Sequence, residues 1–422
     1  MIIGDNYVAL QNLLISYKDK IDAIYIDPPY GCNDMGEFAD TNYENAITRD
    51  NLLSMLYPRL ILAKQLLSED GVIFCSIDDR NYAYVKCLFD EIFNDNSVDT
   101  MIWRKSGVGR DGKMKNTTTF RKDHEYIIVA FKKNAVLNKI KEVPNFVNEY
   151  SNPDNDPRGN WMSGSLSRSY EASNPNHRNY YTVVSPSGEE ITRQFEISKE
   201  EFDKLNADNR ISWGKSGNSV PRLKIFVNEK REITPYSLLL EKGTTTDGIK
   251  DLYAVLNDAE IFSYPKPVFL IQTLLQLGTK EDSIVLDFFA GSGTTAQAVM
   301  ELNREDGGTR KVILCTNNEQ SEKNPTGIAY DVTSKRLKRV MTGCCYNGDT
   351  NFKWLENNEP YNNNLDVYDI KEVINTETRE GKSAFEVINE TLYDLPKFTN
   401  IEEKINWVCS NFENTQKYIK GE

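Results

Sequence analysis

The chain has 422 residues, 39% of them hydrophobic and 27% charged, with a formal net charge of −13. No apolar run approaches the roughly 18 residues of a membrane span, and no basic region followed by an apolar core opens the chain, so a soluble, cytoplasmic protein is expected. Seven cysteines without a C-x-x-C spacing and only two histidines, His124 and His177, argue against a disulfide framework and against a metal cluster.

The length suits one large α/β domain with an inserted or appended unit. Residues 1–5 read as a short strand, followed by a helix with Leu10, Leu13, Leu14 and Tyr17 on one face. The run Asp22-Ala23-Ile24-Tyr25-Ile26 then predicts a buried strand that stops abruptly at Asp27-Pro28-Pro29-Tyr30, because proline cannot donate to a sheet and fixes its own φ. A Gly/Asn/Asp-rich loop follows over residues 31–45, long enough beside a candidate site to suggest a functional role. A helix over 49–67 carries Leu52, Met55, Leu56, Leu60, Ala63 and Leu67 as its buried stripe, with Pro58 expected to bend it. Residues 72–77 form another buried strand, a helix runs to about 93, and strands follow near 99–103 and 125–131. This alternation predicts a doubly wound, mostly parallel sheet.

The stretch 104–122 after the first of these two strands holds seven basic residues, Arg104, Lys105, Arg110, Lys113, Lys115, Arg121 and Lys122, against the single acid Asp111. A Gly-rich basic loop of this kind suits a phosphate clamp, although a solvated loop has the same composition. From 134 to 255 periodicity weakens, and aromatics such as Trp161, Tyr170, Tyr180 and Tyr181 alternate with Arg158, Arg168 and Arg178. This predicts a separate β-rich insertion. Regular signals return at Ile261: after Tyr264-Pro265-Lys266-Pro267 comes a helix to about 277, then a strand over 283–289, the loop Ala290-Gly291-Ser292-Gly293 and a helix over 294–302. A Gly-x-Gly loop between strand and helix lets a ligand approach the backbone closely. The strand 311–315 ends near Glu319, an acid placed to hold a ribose by the logic of dinucleotide folds. The region 346–422 is acidic, with helical pieces predicted over 383–393 and 401–412.

The carboxyl edge of a strand in an open α/β sheet is where ligands bind, so Asp27 and Tyr30 face a crevice. Beside the plain reading of a proline-terminated strand with a capping Asp, the arrangement suits methylation of an exocyclic amino group, whose nitrogen is a poor nucleophile until its hydrogens are held by acceptors. The Asp27 carboxylate and the Pro28 carbonyl supply two such acceptors, the second pre-aimed by proline's fixed φ. Tyr30 offers a flat face for a base taken out of its stack.

Asp-Pro-Pro-Tyr resembles the signature of amino-methyltransferases acting on DNA, with Asp first as in most adenine-N6 enzymes. Asp287-Phe288-Phe289-Ala290-Gly291-Ser292-Gly293 is similar to their S-adenosylmethionine motif, and Gly4-Asp5-Asn6 to the element that precedes the catalytic motif. Catalytic motif before cofactor motif, with an insertion between them, is the order of the β group. More closely still, the chain resembles the modification subunit of type III restriction-modification systems, through Ile3-Gly4-Asp5-Asn6, Leu67-Ser68-Glu69-Asp70-Gly71-Val72, Tyr264-Pro265-Lys266-Pro267 and the stretch after Asp287. It departs from that family in beginning at the Gly-Asp-Asn strand and in following Tyr30 with Gly31-Cys32-Asn33-Asp34. The resemblance implies a Rossmann-like methyltransferase sheet in two halves, a catalytic half over 1–133 and a cofactor half over 256–345, with a target-recognition insertion over 134–255 and a partly helical tail over 346–422. It implies Asp27, Pro28, Pro29 and Tyr30 as catalytic residues. Asp5, Lys266, Asp287, Phe289, Ala290, Gly291, Gly293 and Glu319 are the residues it implies for the cofactor: Asp5 at the adenine, Gly291 and Gly293 at the methionine end, Glu319 at the ribose and Lys266 near the carboxylate. The partners it implies are double-stranded DNA, a second copy of the chain and a restriction subunit. A non-catalytic DNA-binding protein and a nicotinamide-dependent oxidoreductase are the competing classes; the latter gives Asp-Pro-Pro-Tyr no role.

Overall fold

The β-branched runs read as buried strands pair with one another at the centre of the computed structural model, which describes residues 1–30, 48–94, 97–107, 120–142, 150–227, 229, 231–258 and 260–370. In chain order the first part comprises β1 (Ile2–Ile3), α1 (Asn6–Tyr17), β2 (Ile21–Ile26), α2 (Arg49–Leu66), β3 (Leu67–Ile77), α3 (Tyr82–Ile92), β4 (Val98–Arg104) and β5 (His124–Phe131). The chain then forms a second compact unit, Lys139–Pro235. It contains β6 (Ile140–Glu142), β7 (Trp161–Ser165), β8 (Tyr180–Val184), β9 (Glu190–Gln194), α4 (Lys199–Ala207), β10 (Ile211–Ser212), β11 (Arg222–Phe226) and β12 (Arg231–Ile233). It returns through β13 (Leu238–Leu239), α5 (Thr245–Leu256), α6 (Val268–Gly278), β14 (Ile284–Asp287), α7 (Thr294–Asp306), β15 (Lys311–Thr316), α8 (Lys335–Thr342) and β16 (Tyr368–Asp369).

Among the described residues the main sheet has nine strands in the order β13-β4-β5-β3-β2-β14-β15-β1-β16. The central run β3-β2-β14-β15-β1 is parallel throughout, and β5 is antiparallel to both its neighbours. From β2 the chain crosses by α2 to β3 on one side, and from β14 it crosses by α7 to β15 on the other. The strand order therefore reverses between β2 and β14, which places a crevice at their carboxyl ends. One core joins Leu10, Leu52, Leu56, Leu60, Val85 and Phe89 of α1, α2 and α3 to Ile24, Ile26, Ile73 and Leu286 of the sheet. Another joins Leu252 and Val255 of α5, Ala296 and Met300 of α7 and Leu337 and Val340 of α8 to Ile3 and Leu314. The sheet is doubly wound, as the alternation of strand and helix predicted.

Two predicted boundaries move. Residues 134–138 and 236–255, assigned above to the insertion, pack with the main sheet. The Asn138 amide donates to the Leu277 carbonyl at 2.7 Å, β13 pairs in parallel with β4, and the Trp103 indole donates to the Gly243 carbonyl at 2.9 Å. The signal was weak because two-residue β13 is too short for a period of 2 to show. The acidic region after 346 is likewise not separate at its start: Phe352 and Trp354 are buried in the second core, and β16 extends the sheet beside β1. Their aromatics stand in an Asn-rich context without helical or strand spacing. The helices predicted over 383–393 and 401–412, and the loop over 31–45, lie outside the described residues.

The Lys139–Pro235 unit has its own core of Leu166, Val183, Phe195, Phe202, Ile211 and Trp213. Among the described residues its strands form three small antiparallel sheets, β10-β11-β7, β12-β6 and β8-β9. Among the described residues no helix is long and apolar enough to cross a membrane. The α2 helix runs through Pro58 without interruption because Leu52, Leu56, Leu60 and Ala63 hold its inner face. Leu60→Ala in that stripe is expected to cost about 2–5 kcal/mol, checked by a lowered urea midpoint with an unchanged slope.

Candidate active site

Four parallel strands end at one edge, and each carries one of the predicted motifs. Leu286 is in register with Ile24, so Asp27 just beyond β2 stands level with the start of the glycine loop just beyond β14. Ile2 and Ile3 are in register with Cys315 and Thr316, which puts Asp5 at the same edge as Glu319. The acid of Asp-Pro-Pro-Tyr and the Gly-x-Gly turn, some 260 residues apart in sequence, thus open on one crevice.

Asp27 is the centre of a polar cluster. The Lys266 ammonium donates to Asp27 Oδ1 at 2.8 Å, to Oδ2 at 2.9 Å and to the Tyr30 hydroxyl at 2.6 Å. Tyr30 Oη in turn lies 2.9 Å from Asp27 Oδ1 and 3.0 Å from Glu125 Oε2, and its one hydrogen is shared between those acceptors. Glu125 Oε1 accepts from Lys105 Nζ at 3.1 Å, and its other oxygen lies 3.5 Å from Lys266. Two carboxylates and two ammonium groups therefore alternate around one phenol. Burial pushes the Asp27 carboxyl above its ordinary range, against the pull of Lys266. Burial acts the same way on Glu125, but Lys266 and Lys105 outweigh it and hold that carboxyl below its ordinary range. Burial would lower Lys266, yet the facing Asp27 and Glu125 charges hold it above the usual lysine value, and it stays an ammonium. Tyr30 is pushed up by burial and by both acids, so it remains a phenol that can donate.

The backbone around this cluster is fixed from two sides. Asn81, fully buried at the start of α3, does not cap its helix; its amide donates to the Tyr30 carbonyl, and its Oδ1 accepts from Arg49 Nε at 3.0 Å. Lys266 sits between Pro265 and Pro267, against which α5 presents Gly248: a Cβ there would lie 2.0 Å from the Pro265 carbonyl oxygen. A glycine inside a helix ordinarily weakens it; here it lets the helix approach the Lys266 backbone.

The glycine turn is built differently. Asp287 is buried and faces inward, accepting from the Phe289 amide at 2.9 Å and from the Thr295 hydroxyl of α7. It ties strand to helix. Gly291 and Gly293 have φ of +48° and +78°, a region that side chains rarely adopt, and the Gly293 amide closes the turn on the Ala290 carbonyl at 2.8 Å. Beneath it Arg336 of α8 donates to Ser292 and Thr294, and Thr333, in a π-helical turn over Ala329–Ser334, donates to the Gly291 carbonyl at 2.6 Å.

The structure places the predicted residues as follows. Asp27, Tyr30 and Lys266 meet directly, and the glycine turn stands beside them at the same edge. Lys266, expected near the cofactor's carboxylate, spends its ammonium on Asp27. Asp5 caps α1 through the Tyr7 and Val8 amides and pairs with Arg59 at 2.9 Å, while its neighbour Asn6 donates to the Phe288 carbonyl at the end of β14. Phe289 is half-buried and Ala290 buried in the turn, and Glu319 is half-buried beyond β15. Of the basic stretch, Lys105 is turned into the site. Arg121 pairs with Asp123 and Lys122 with Asp79, so the local positive balance is reduced by acids that the 104–122 window left out. Arg110, Lys113 and Lys115 lie outside the described residues. Glu125 and Asn81 were missed. The only signal for Glu125 was a charge at the head of an otherwise apolar strand.

A family described as DNA methylase, of N6 and N4 type, matches residues 21–338. The chain is 30% identical to the type III restriction-modification enzyme StyLTI Mod subunit of Salmonella typhimurium, with 87% of this chain and 61% of that one covered. It is 26% identical to the EcoP15I Mod subunit of Escherichia coli over 84% of this chain and 64% of that one. With the type II methyltransferase M.KpnI of Klebsiella pneumoniae it shares 29% identity, over 80% of this chain and 86% of that one. The chain thus spans less than two thirds of the Mod subunits named here.

Two predictions follow from these contacts. Gly248→Ala should lower Tm in thermal melts, although alanine is the better helix former by about 1 kcal/mol, because the new methyl collides with backbone that cannot yield cheaply. Burial pushes Asp287 up to about 7, with the Thr295 and Phe289 hydrogen bonds opposing. A folded chain that retains this proton while the unfolded chain releases it loses stability as pH rises from about 4 to about 7. Asp287→Asn should flatten that decline, read as Tm against pH across the interval.

Proposed function

Since this chain belongs to the DNA methylase family, we propose that it transfers a methyl group from S-adenosylmethionine to the exocyclic N6 of an adenine extruded from double-stranded DNA. The observation that carries this reading is the pairing of β2 with β14, which opens the acid and the glycine turn on one crevice.

The residues at the β14 and β15 ends fit such a cofactor. The turn over 290–293 carries two positive-φ glycines, Gly291 half-buried and Gly293 buried against Thr333 and Leu337, and Glu319 is half-buried at the neighbouring strand end, where an acid accepts from ribose hydroxyls. Phe289, Ala290, Gly291 and Gly293 would hold the methionine and ribose portions with Glu319. Asp5 is the candidate for the adenine, its side chain 56% exposed despite its capping role. When bound, the cofactor supplies a methyl made labile by the sulfonium. Asp27 accepts an N–H of the target amine, raising the nitrogen's electron density, and the Pro28 carbonyl is the second acceptor. Tyr30 orients Asp27 through its hydroxyl while its ring offers a stacking face. The nitrogen–methyl bond would form as the methyl–sulfur bond breaks, the cofactor leaving as its neutral thioether and the surplus proton of the amine passing by way of the Asp27 carboxylate to water; no covalent enzyme intermediate is needed.

The likeness to Mod subunits supports a place in a type III restriction-modification system, with a restriction subunit and a second copy of the chain as partners. The Lys139–Pro235 unit would read the DNA sequence, and Arg104, Arg110, Lys113, Lys115, Arg121 and Lys122 would meet phosphates.

Labelled methyl transfer to DNA tests the reading. Wild type should incorporate label that is recovered as N6-methyladenine after hydrolysis to nucleosides; Asp27→Ala should lose transfer by at least about 10³-fold while S-adenosylmethionine still raises Tm. No incorporation into any DNA sinks the proposal, and equal loss of transfer and cofactor binding makes Asp27 a structural residue.

A further inference from the structure

Lys266 is the feature that the functional reading does not absorb. A lysine near a cofactor's carboxylate needs a reachable ammonium, but this one is 8% exposed and is held by four oxygen atoms of three side chains. Its backbone is equally constrained, by the two flanking prolines and by the Gly248 contact described above. A side chain fixed this firmly acts on what it touches, and what it touches is the Asp27 carboxylate.

A carboxylate has about four lone-pair sites, two on each oxygen. On Oδ1 one is taken by Lys266 and one faces the Tyr30 hydroxyl, whose hydrogen it shares with Glu125; on Oδ2 one is taken by Lys266. Among the described residues no donor faces the remaining acceptor site, on Oδ2. The amino group of a target base would meet a carboxylate whose rotation is locked and whose free lone pair is already chosen.

We infer that Lys266 is a positioning residue of the methyl transfer, holding Asp27 as an oriented carboxylate with Oδ2 open to the target amine, and that Glu125 is the counter-anchor that holds Lys266 there. This rests on the function proposed above. Among the described residues the titratable groups facing Asp27 are Tyr25 on its own strand, Cys75 on β3, Glu125 on β5, Asp287 on β14, and Tyr30 and Lys266 themselves. Among them Lys266 is the only cation. Its removal leaves Asp27 facing the Glu125 and Asp287 carboxyls with no cation among the described residues and only the Tyr30 hydrogen bond to offset burial; removal of the Glu125 charge has the opposite sign.

The test uses the full chain and two readouts. In the pH dependence of kcat for DNA methylation, Lys266→Met should move the acid limb up by about 1–3 pH units, Lys266→Arg should return it most of the way, and Glu125→Gln should move it down. Without DNA or cofactor, ¹³C-carboxyl NMR of labelled aspartate, with Asp27 assigned from an Asp27→Asn spectrum, should show the same upward and downward changes. Circular dichroism confirms that each variant is folded; should Lys266→Met fail to fold, the Glu125→Gln shift decides. If the Lys266 variants weaken S-adenosylmethionine binding while the acid limb and the Asp27 resonance stay in place, Lys266 serves the cofactor and the inference is overturned. A wild type that methylates no DNA overturns the function, and the NMR titration still decides whether Lys266 governs Asp27.

Discussion

Parallel pairing of β2 with β14 is the constraint on which the candidate site depends. Each strand alone ends in an unremarkable way, one at two prolines and one at a glycine turn. Held in register, they set an acid and a glycine turn side by side where the strand order reverses. The pairing is non-local, with some 260 residues between partners, and closing such a span costs entropy that only slowly increases with length. Part of the span is taken up by the Lys139–Pro235 unit, which has a core and sheets of its own. Folded, that unit leaves much less free chain between β5 and β13.

Two kinds of buried acid stand at this sheet edge, and their surroundings separate their roles. Asp287 has neutral partners only, an amide and a hydroxyl, and burial dominates; it binds strand to helix. Asp27 has a cation and a phenol on it and a second acid behind them, so its charge is compensated within a few ångströms. A buried ion pair contributes little net stability, since desolvation offsets attraction. What the pair does impose is an orientation on the Asp27 carboxylate, which the proposed reaction asks to accept a hydrogen from its substrate.

The basic stretch over 104–122 shows how a charge count along the chain misleads. Its sum is strongly positive in sequence, but folding brings Asp79 to Lys122 and Glu125 to Lys105, and Asp123 pairs with Arg121. Lys105 in particular leaves the phosphate-binding role suggested by its neighbours and becomes part of the support behind Tyr30. The glycines tell a parallel story. The two of the 290–293 turn were legible as a turn because Gly-x-Gly between strand and helix marks a tight positive-φ connection, a signal that many nucleotide-binding folds share, whereas Gly248 inside α5 acquires meaning only from the proline-flanked backbone packed against it.

The doubly wound sheet, the insertion and the two motifs were legible in the sequence because they are properties of contiguous residues: a buried parallel strand is a continuous apolar run, and a strand stopped by Pro-Pro or by Gly-x-Gly is marked where it stops. The boundaries at 138 and 236 and the burial of Phe352 and Trp354 were not legible, since short strands and aperiodic aromatics carry no repeat. Nor were the partners of Asp27. Lys266, Glu125 and Tyr30 come from three separate segments, and a carboxylate's ionisation and free lone pair are set by which groups stand within hydrogen-bond reach. That is a matter of distance in space, and only the tertiary structure decided it.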